Sequence, residues 1–162
     1  MTNLSTDEIN KKIFDIQEKW SDAIVQIGKA FLNKEDYVNL TNKFLDNLYC
    51  FKQGKVLFKP TKASNLQFRK SKNEFISYFI GHNKISAEDK GFALEPWKRI
   101  FFENFDFIIL DNVLLSMGNY FFFDYQDKQL KVEYTFGYKL DINNNFKIIH
   151  HHSSLPYKNQ SS

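Results

Sequence analysis

The stretch Leu130-Lys-Val-Glu-Tyr-Thr-Phe-Gly-Tyr-Lys139 alternates apolar with mostly polar side chains. A period of two indicates a β-strand with one buried face. The same period begins near residue 98 and continues to about residue 155, with turn-forming residues at 111–112, 126–128 and 143–145. Strands joined by short turns pair with their neighbours in antiparallel order. The C-terminal part of the chain therefore predicts an antiparallel meander.

The N-terminal part has a helical pattern instead. Residues 5–8 and 71–74 both read Ser-x-x-Glu, the capping box that begins a helix. Apolar residues recur every three or four positions across 9–31 and again across 33–48, which predicts two amphipathic helices. Helices followed by strands predict an α+β domain, with the helices packed on one face of a curved antiparallel sheet.

The length and composition fit one domain. The 162 residues predict a single domain over 1–157 and a flexible tail over 158–162. One cysteine, Cys50, excludes an internal disulfide and a cysteine-based zinc site. We see no signal peptide and no run approaching ~18 apolar residues, so we expect a cytoplasmic protein without a membrane partner.

The charge argues against nucleic acid as a partner. The net charge is only +3, and no aromatic–basic recognition motif is present. Residues 47–73 hold seven basic side chains and no acidic one. Such a patch is usually a solvated face, and it can also attract anions. Residues 81–97 lack a clear period and predict a long loop, a segment type that is often functional.

The run His150-His-His-Ser-Ser154 holds three of the four histidines. Simple alternation along a strand places His150, His152 and Ser154 on the face of Phe146 and Ile148, which we predict to be the inner face. His151 and Ser153 fall on the other face. Two imidazoles and a hydroxyl on an inner face can bind a metal, move a proton or hold an oxyanion. The alternatives are a polar cluster buried for hydrogen bonding and an interface patch.

A metal site would need more ligands than this run supplies. His-x-His on a strand provides two, and a third must come from elsewhere. No carboxylate in the predicted strands can be paired with the run from sequence, so we favour chemistry without a metal, with zinc or manganese as the alternative.

Two further residues are candidates for the same site. Thr61 follows Pro60 at the end of a short predicted strand, where a hydroxyl can face the mouth of a cavity. Tyr78 lies on the third predicted helix with Phe75 and is expected to face the core. An ordinary loop position for Thr61 and simple packing for Tyr78 are the alternatives.

These stretches together resemble the iota-class carbonic anhydrases. This class lies in the nuclear-transport-factor-2-like superfamily, in the branch related to the calcium/calmodulin-dependent protein kinase II association domain. The terminal His-His-His-Ser-Ser motif is intact at 150–154. Weaker similarities are found at 57–61, 76–79 and 132–138. The chain departs from the family pattern in its longer 81–97 segment and in Phe146, where the family often has Trp.

The resemblance implies a conical fold around a cavity, a homodimer built through the sheets, and reversible hydration of carbon dioxide to bicarbonate. By motif position it implies a catalytic set and a supporting set. The catalytic set is Thr61, Tyr78, His152 and Ser154, and the supporting set is His150, His151, Ser153, Tyr134 and Tyr138. His152 would accept or relay the proton, because imidazole titrates near neutral pH. The competing hypotheses are a non-catalytic module for dimerisation or ligand binding, and another small-molecule isomerase or hydrolase of the same fold.

Overall fold

The structure, a computed structural model, describes residues 4–159. Three α-helices precede the main strands: α1 (Thr6–Leu32), α2 (Tyr37–Leu48) and α3 (Lys72–Ile80). Both predicted capping boxes are confirmed, because the serine and glutamate side chains at the starts of α1 and α3 satisfy each other's backbone N–H groups. The second helix begins later than predicted, since Asp36 accepts from the Asn39 N–H and so caps its first turn.

Five strands form one mixed sheet in the order β1-β5-β4-β3-β2. The strands are β1 (Leu57–Lys59), β2 (Trp97–Leu110), β3 (Val113–Asp124), β4 (Gln129–Leu140) and β5 (Phe146–Ser154). The four long strands form the predicted antiparallel meander. The short β1 adds to its edge in parallel with β5, a pairing that the sequence did not predict.

The core lies between the helices and one face of the sheet. Its centre is Trp20 of α1, which is 2% exposed. The indole packs against rings from α2, α3 and all four long strands: Phe44, Phe79, Phe102, Tyr120, Phe122, Phe136 and His151. The α+β architecture is therefore confirmed, and its helix-covered face holds one imidazole among the aromatic rings.

Two predictions concern the ends of the chain and its relation to membranes. The proposed tail at 158–162 lies mostly outside the described residues. Among the helices of residues 4–159, none is both long and apolar enough to cross a bilayer.

Candidate active site

A β-bulge in β5 decides which side chains of the histidine–serine run face the core. Tyr138 of β4 is paired with Ile148, whereas the adjacent Gly137 is paired with His150. Ile149 is therefore an additional residue without a partner on β4. One additional residue in a strand shifts the alternation of all residues that follow it.

The bulge corrects the predicted orientation of the run. Before it, Phe146 and Ile148 face the core as predicted; after it, His151 and Ser153 face the core, and each is 1% exposed. The residues predicted to face inward lie on the opposite face of the sheet: His150, His152 and Ser154. The prediction was wrong because alternation was extended across a position where the strand contains one residue too many.

The imidazole of His151 is held between two aromatic rings. Its centroid lies 4.1 Å from the ring of Phe136 and 4.6 Å from that of Phe58, and both pairs are stacked. Burial lowers the pKa of His151 well below its ordinary value, because a charged ring would lose its hydration there. His151 is therefore neutral at physiological pH.

Hydrogen bonds connect His151 to three hydroxyl groups. Its Nδ1 lies 3.0 Å from the hydroxyl of Tyr49. Its Nε2 lies 3.0 Å from Ser153 Oγ and 3.2 Å from the hydroxyl of Tyr120. The Tyr120 and Ser153 hydroxyls are also bonded to each other. Together these groups form a buried and uncharged network of donors and acceptors.

Thr61 and Tyr78 lie at the same network. Burial raises the pKa of Tyr78 and of Tyr120 well above the ordinary value, and hydrogen bonding with Thr61 acts on both phenols in the opposite direction. The Thr61 hydroxyl is therefore close to both. The hydroxyl of Tyr78 accepts the backbone N–H of Lys62 at 3.3 Å, so its own hydrogen is available to another acceptor. The rings of Tyr78 and His151 both pack on Phe58, at 5.4 and 4.6 Å, so Tyr78 lies beside the hydrogen-bonded group of His151, Ser153 and Tyr120.

His152 and Ser154 line a different surface. They contribute to an open groove of about 430 Å³ on the outer face of the sheet, together with Phe105, Met117 and Thr135. His152 is exposed, and its pKa is lowered by partial burial and by the nearby Lys59. Neither residue belongs to the network around His151.

The remaining predicted residues, Tyr134 and Tyr138, face the core beside this network. The hydroxyl of Tyr134 bonds to the side chains of Asn104 and Gln17, and burial raises its pKa to about 12. Tyr138 stacks on the ring of Phe136. No described hydrogen bond joins either phenol to His151 or Ser153.

The long 81–97 segment forms a fixed wall beside Tyr78. Phe92, in a short 3-10 turn, stacks on the Tyr78 ring at 5.5 Å. The segment is held by a buried ion pair in which Arg69 Nη2 lies 2.8 Å from Asp89 Oδ1. Arg69 is 1% exposed, so at this position the expectation of a solvated basic face was wrong. A second carboxylate, that of Glu88, accepts the backbone N–H groups of residues 64–66.

A groove lies between this wall and Tyr78. It measures about 340 Å³ and is lined by residues of the wall, by Tyr78 and by Lys62. Two of the lining residues, Lys62 and Glu95, form an exposed ion pair at 3.1 Å. The long segment therefore lines one side of this groove.

Sequence reasoning missed three members of the network: Tyr49, Tyr120 and Trp20. Tyr120 belongs to the inward phase of β3, so alternation could have found it. Tyr49 lies at the end of α2, where the Cys50 N–H donates to the Ile148 carbonyl at 2.9 Å. That contact joins positions about a hundred residues apart, so the local sequence pattern does not predict it.

The network contains no metal-binding arrangement. Within residues 4–159, histidine, cysteine and carboxylate side chains form no group of three that could hold a metal ion. The residues that meet at His151 supply phenol, hydroxyl and indole groups, none of which is a common ligand for zinc. The donors present suit an oxygen-rich, uncharged or singly charged ligand instead.

Comparisons with known proteins identify the family of this chain. Residues 11–155 match the family described as metal-independent carbonic anhydrase. A metal-independent carbonic anhydrase of Nostoc sp. (strain PCC 7120) is 35% identical over 97% of this chain and 80% of its own length. The crystal structure of a cyanobacterial iota-carbonic anhydrase complexed with bicarbonate superposes with a TM-score of 0.87, at 35% identity, covering 91% of this chain and 92% of that one.

A more distant structure shows the same fold alone. A putative calcium/calmodulin-dependent protein kinase II association domain from Xanthomonas campestris has a TM-score of 0.58 at 22% identity, covering 98% of this chain and 93% of its own. The α+β fold predicted from the sequence is thereby confirmed, and the family description agrees with the expectation of chemistry without a metal. The chain belongs to the metal-independent carbonic anhydrases, a family of lyases that interconvert carbon dioxide and bicarbonate.

Proposed function

We propose that this protein hydrates carbon dioxide at the hydroxyl network formed by Thr61, Tyr78, Tyr120, His151 and Ser153. The observation that carries the proposal is the cluster itself: the Tyr120 and Ser153 hydroxyls and the His151 imidazole are hydrogen-bonded to one another in a buried, uncharged position, in a fold of this family. In this proposal His151 and Ser153 take the place of His152 and Ser154 in the site, because they lie on the core side of β5.

The surroundings suit both the substrate and the product. Carbon dioxide is small and apolar, and the rings of Phe58 and Phe92 provide an apolar wall next to Tyr78. Bicarbonate is an anion that accepts hydrogen bonds. Neutral hydroxyl donors fixed in a buried site stabilise developing negative charge without having to reorient.

Burial keeps the donors in their protonated form. Because the pKa values of Tyr78 and Tyr120 are raised, both phenols retain their hydrogens near neutral pH and can donate to an oxyanion. In the reaction a bound water attacks the carbon of carbon dioxide, its oxygen becomes the third oxygen of bicarbonate, and one proton is released. We propose that this proton leaves through the solvent-filled groove beside Tyr78.

Stopped-flow measurement of carbon dioxide hydration tests the proposal. The folded protein, purified and assayed with and without a chelator, should accelerate hydration equally in both conditions. Acceleration that disappears with the chelator would contradict the metal-free site, and no acceleration above buffer in either condition would contradict the function. Circular dichroism on the same sample establishes that the protein is folded.

We also propose that the protein is a homodimer joined through the outer face of its sheet. Large apolar side chains are exposed there, among them Phe105 at 82% and Ile108 at 57%. They line a mainly apolar groove of about 410 Å³ with Leu115 and Met117. An apolar surface of this kind on a sheet is usually covered by a partner, and a self-complementary contact between two copies is the commonest arrangement in oligomers, so we propose a second copy as that partner.

Sedimentation of two matched variants tests the dimer. Ile108→Glu places a charge within the outer apolar face, whereas Ile142→Glu places one on a turn where the side chain is 96% exposed. The first should convert the protein to a monomer and the second should leave a dimer. A wild-type monomer, or an Ile108→Glu dimer of unchanged affinity, would contradict the proposal.

A further inference from the structure

We infer that Tyr49, held by the indole of Trp20, is a positioning residue that fixes His151 in the tautomer protonated on Nε2. His151 then acts in the network as a hydrogen-bond donor to Ser153 and Tyr120. The inference deepens the proposed function and rests on it for its catalytic consequence. The tautomer itself follows from the donors and acceptors around the ring.

The first step is the bond between Trp20 and Tyr49. The indole Nε1 of Trp20 lies 3.0 Å from the hydroxyl oxygen of Tyr49, and both side chains are buried. An indole N–H can only donate. The Tyr49 oxygen is therefore the acceptor of this bond, and its own hydrogen remains available for a different partner.

The second step is the bond between Tyr49 and His151. The nearest acceptor for the Tyr49 hydrogen is Nδ1 of His151, at 3.0 Å. If Nδ1 carried a proton instead, the Tyr49 oxygen would face two donors and its buried hydrogen would have no described partner. A buried donor without a partner costs about 1–3 kcal/mol. The assignment that satisfies every group has Tyr49 donating to an unprotonated Nδ1.

The third step places the ring proton. A neutral imidazole carries one N–H, so an unprotonated Nδ1 requires a proton on Nε2. That N–H faces two oxygens, Ser153 Oγ at 3.0 Å and the Tyr120 hydroxyl at 3.2 Å. Every element that packs on the ring supplies an uncharged group: Trp20, Tyr49, Phe58, Tyr120, Phe136 and Ser153.

The ring cannot readily exchange its two nitrogens. Phe58 and Phe136 stack on its opposite sides, at 26° and 23° to its plane. The backbone at Tyr49 is joined to β5 by the bond from the Cys50 N–H to the Ile148 carbonyl. The phenol and the imidazole are thus held by the same strand, which keeps their hydrogen bond in register.

The consequence concerns the direction of hydrogen bonding at the site. With Nε2–H donating to the Ser153 and Tyr120 oxygens, one of their two hydroxyl hydrogens joins them to each other and the second is free to donate to a ligand oxygen. His151 therefore cannot accept the proton of water through Nε2 in this state. It strengthens the hydroxyl donors that hold bicarbonate.

Nuclear magnetic resonance of protein labelled with ¹⁵N-histidine tests the tautomer without reference to activity. Long-range ¹H–¹⁵N correlations distinguish a protonated ring nitrogen from an unprotonated one, and the His151 signals are identified by their absence from a His151→Gln variant. We expect a protonated Nε2 and an unprotonated Nδ1 in the wild type. A protonated Nδ1, or both tautomers in exchange, would overturn the inference.

A pair of tyrosine variants tests the positioning role. Tyr49→Phe removes the hydroxyl and should shift the His151 Nδ1 signal toward that of a nitrogen without a hydrogen bond, while kcat for hydration falls roughly tenfold. Tyr37→Phe, at the other end of α2, should change neither the signal nor the rate. A folded Tyr49→Phe protein with the wild-type rate would overturn the role.

The two measurements separate this inference from the proposed function. Should Tyr49→Phe fail to fold, the wild-type spectrum still decides the tautomer. A wild-type protein that shows the expected tautomer but does not hydrate carbon dioxide would overturn the proposed function and the catalytic role of Tyr49, while the hydrogen-bond assignment would stand.

Discussion

The two faces of β5 carry similar residues in different surroundings. On the core side, His151 and Ser153 are buried and bonded to Tyr120 and to each other. On the outer side, His152 and Ser154 line an open groove. Within one subunit, the first face holds fixed donors away from water, as oxyanion stabilisation requires, whereas the groove on the second face is open. Residue type alone therefore does not identify the functional members of the run; the face does.

The largest expected effect separates the two serines. Ser153→Ala removes a hydroxyl from the buried network and should lower kcat/KM for hydration by about 10²-fold, the typical cost of losing one oxyanion donor. Ser154→Ala should leave the rate within about twofold. Stopped-flow assays of both proteins at equal concentration check the difference. Equal losses in the two variants would break the comparison between the faces.

The second largest effect is expected for Tyr78, which lies on α3 rather than on β5. Tyr78→Phe keeps the ring on Phe92 but removes the donor, so kcat/KM should fall by about tenfold. Tyr157→Phe, at a position that is 84% exposed, is the matched control and should behave as wild type. If the Tyr78 variant retained full activity, the non-catalytic hypothesis would gain support for this side chain.

A third effect concerns the stability of the fold against pH. Burial lowers the pKa of His151 below its value in the unfolded chain, about 6.5. Below that pH His151 binds a proton in the unfolded chain but not in the folded protein. The free energy of unfolding therefore falls as the pH falls. The contribution is at most about 1.4 kcal/mol per pH unit, and it is absent well above pH 6.5.

Urea unfolding at pH 7.5 and pH 5.0 measures this dependence. His151→Gln should flatten it relative to wild type, although the variant will be less stable at both pH values. His152→Gln, on the exposed face, should preserve most of the slope. If the pH dependence disappears in the His152 variant but persists in the His151 variant, it arises from the outer face of the sheet, and the prediction is contradicted.

The smallest effect is expected on the outer face. His152→Glu places a second carboxylate in the groove that Glu133 also lines. The hydration rate should stay within about twofold, while the proposed dimer weakens by about 1 kcal/mol, roughly fivefold in its dissociation constant. Concentration-dependent sedimentation measures the second quantity. A large loss of hydration without dissociation would place His152 in the chemistry.

Much of the fold followed from local patterns. The capping boxes at Ser5 and Ser71 and the alternation through β4 depend only on neighbouring residues, so they could be read directly. Thr61 and Tyr78 were candidates from the sequence as well, and their place in the active site stays a prediction. The parallel pairing of β1 with β5 was not predictable, because it depends on contacts between distant parts of the chain.

The orientation of the histidine–serine run could not be derived by counting. Ile149 looks like an ordinary strand residue, and only its lack of a partner opposite Gly137 and Tyr138 reveals the bulge. The bond between Tyr49 and His151 was hidden for the same reason, since it joins residues 102 positions apart. Register and long-range contact set the site, and both are properties of the folded chain.

A crystal structure of the protein with bicarbonate bound tests the central claim most directly. We expect the anion on the core side of β5, accepting hydrogen bonds from Ser153 Oγ and from the hydroxyls of Tyr78 and Thr61. An anion bound instead in the outer groove, against His152 and Ser154, would contradict the assignment of the active site to the buried face.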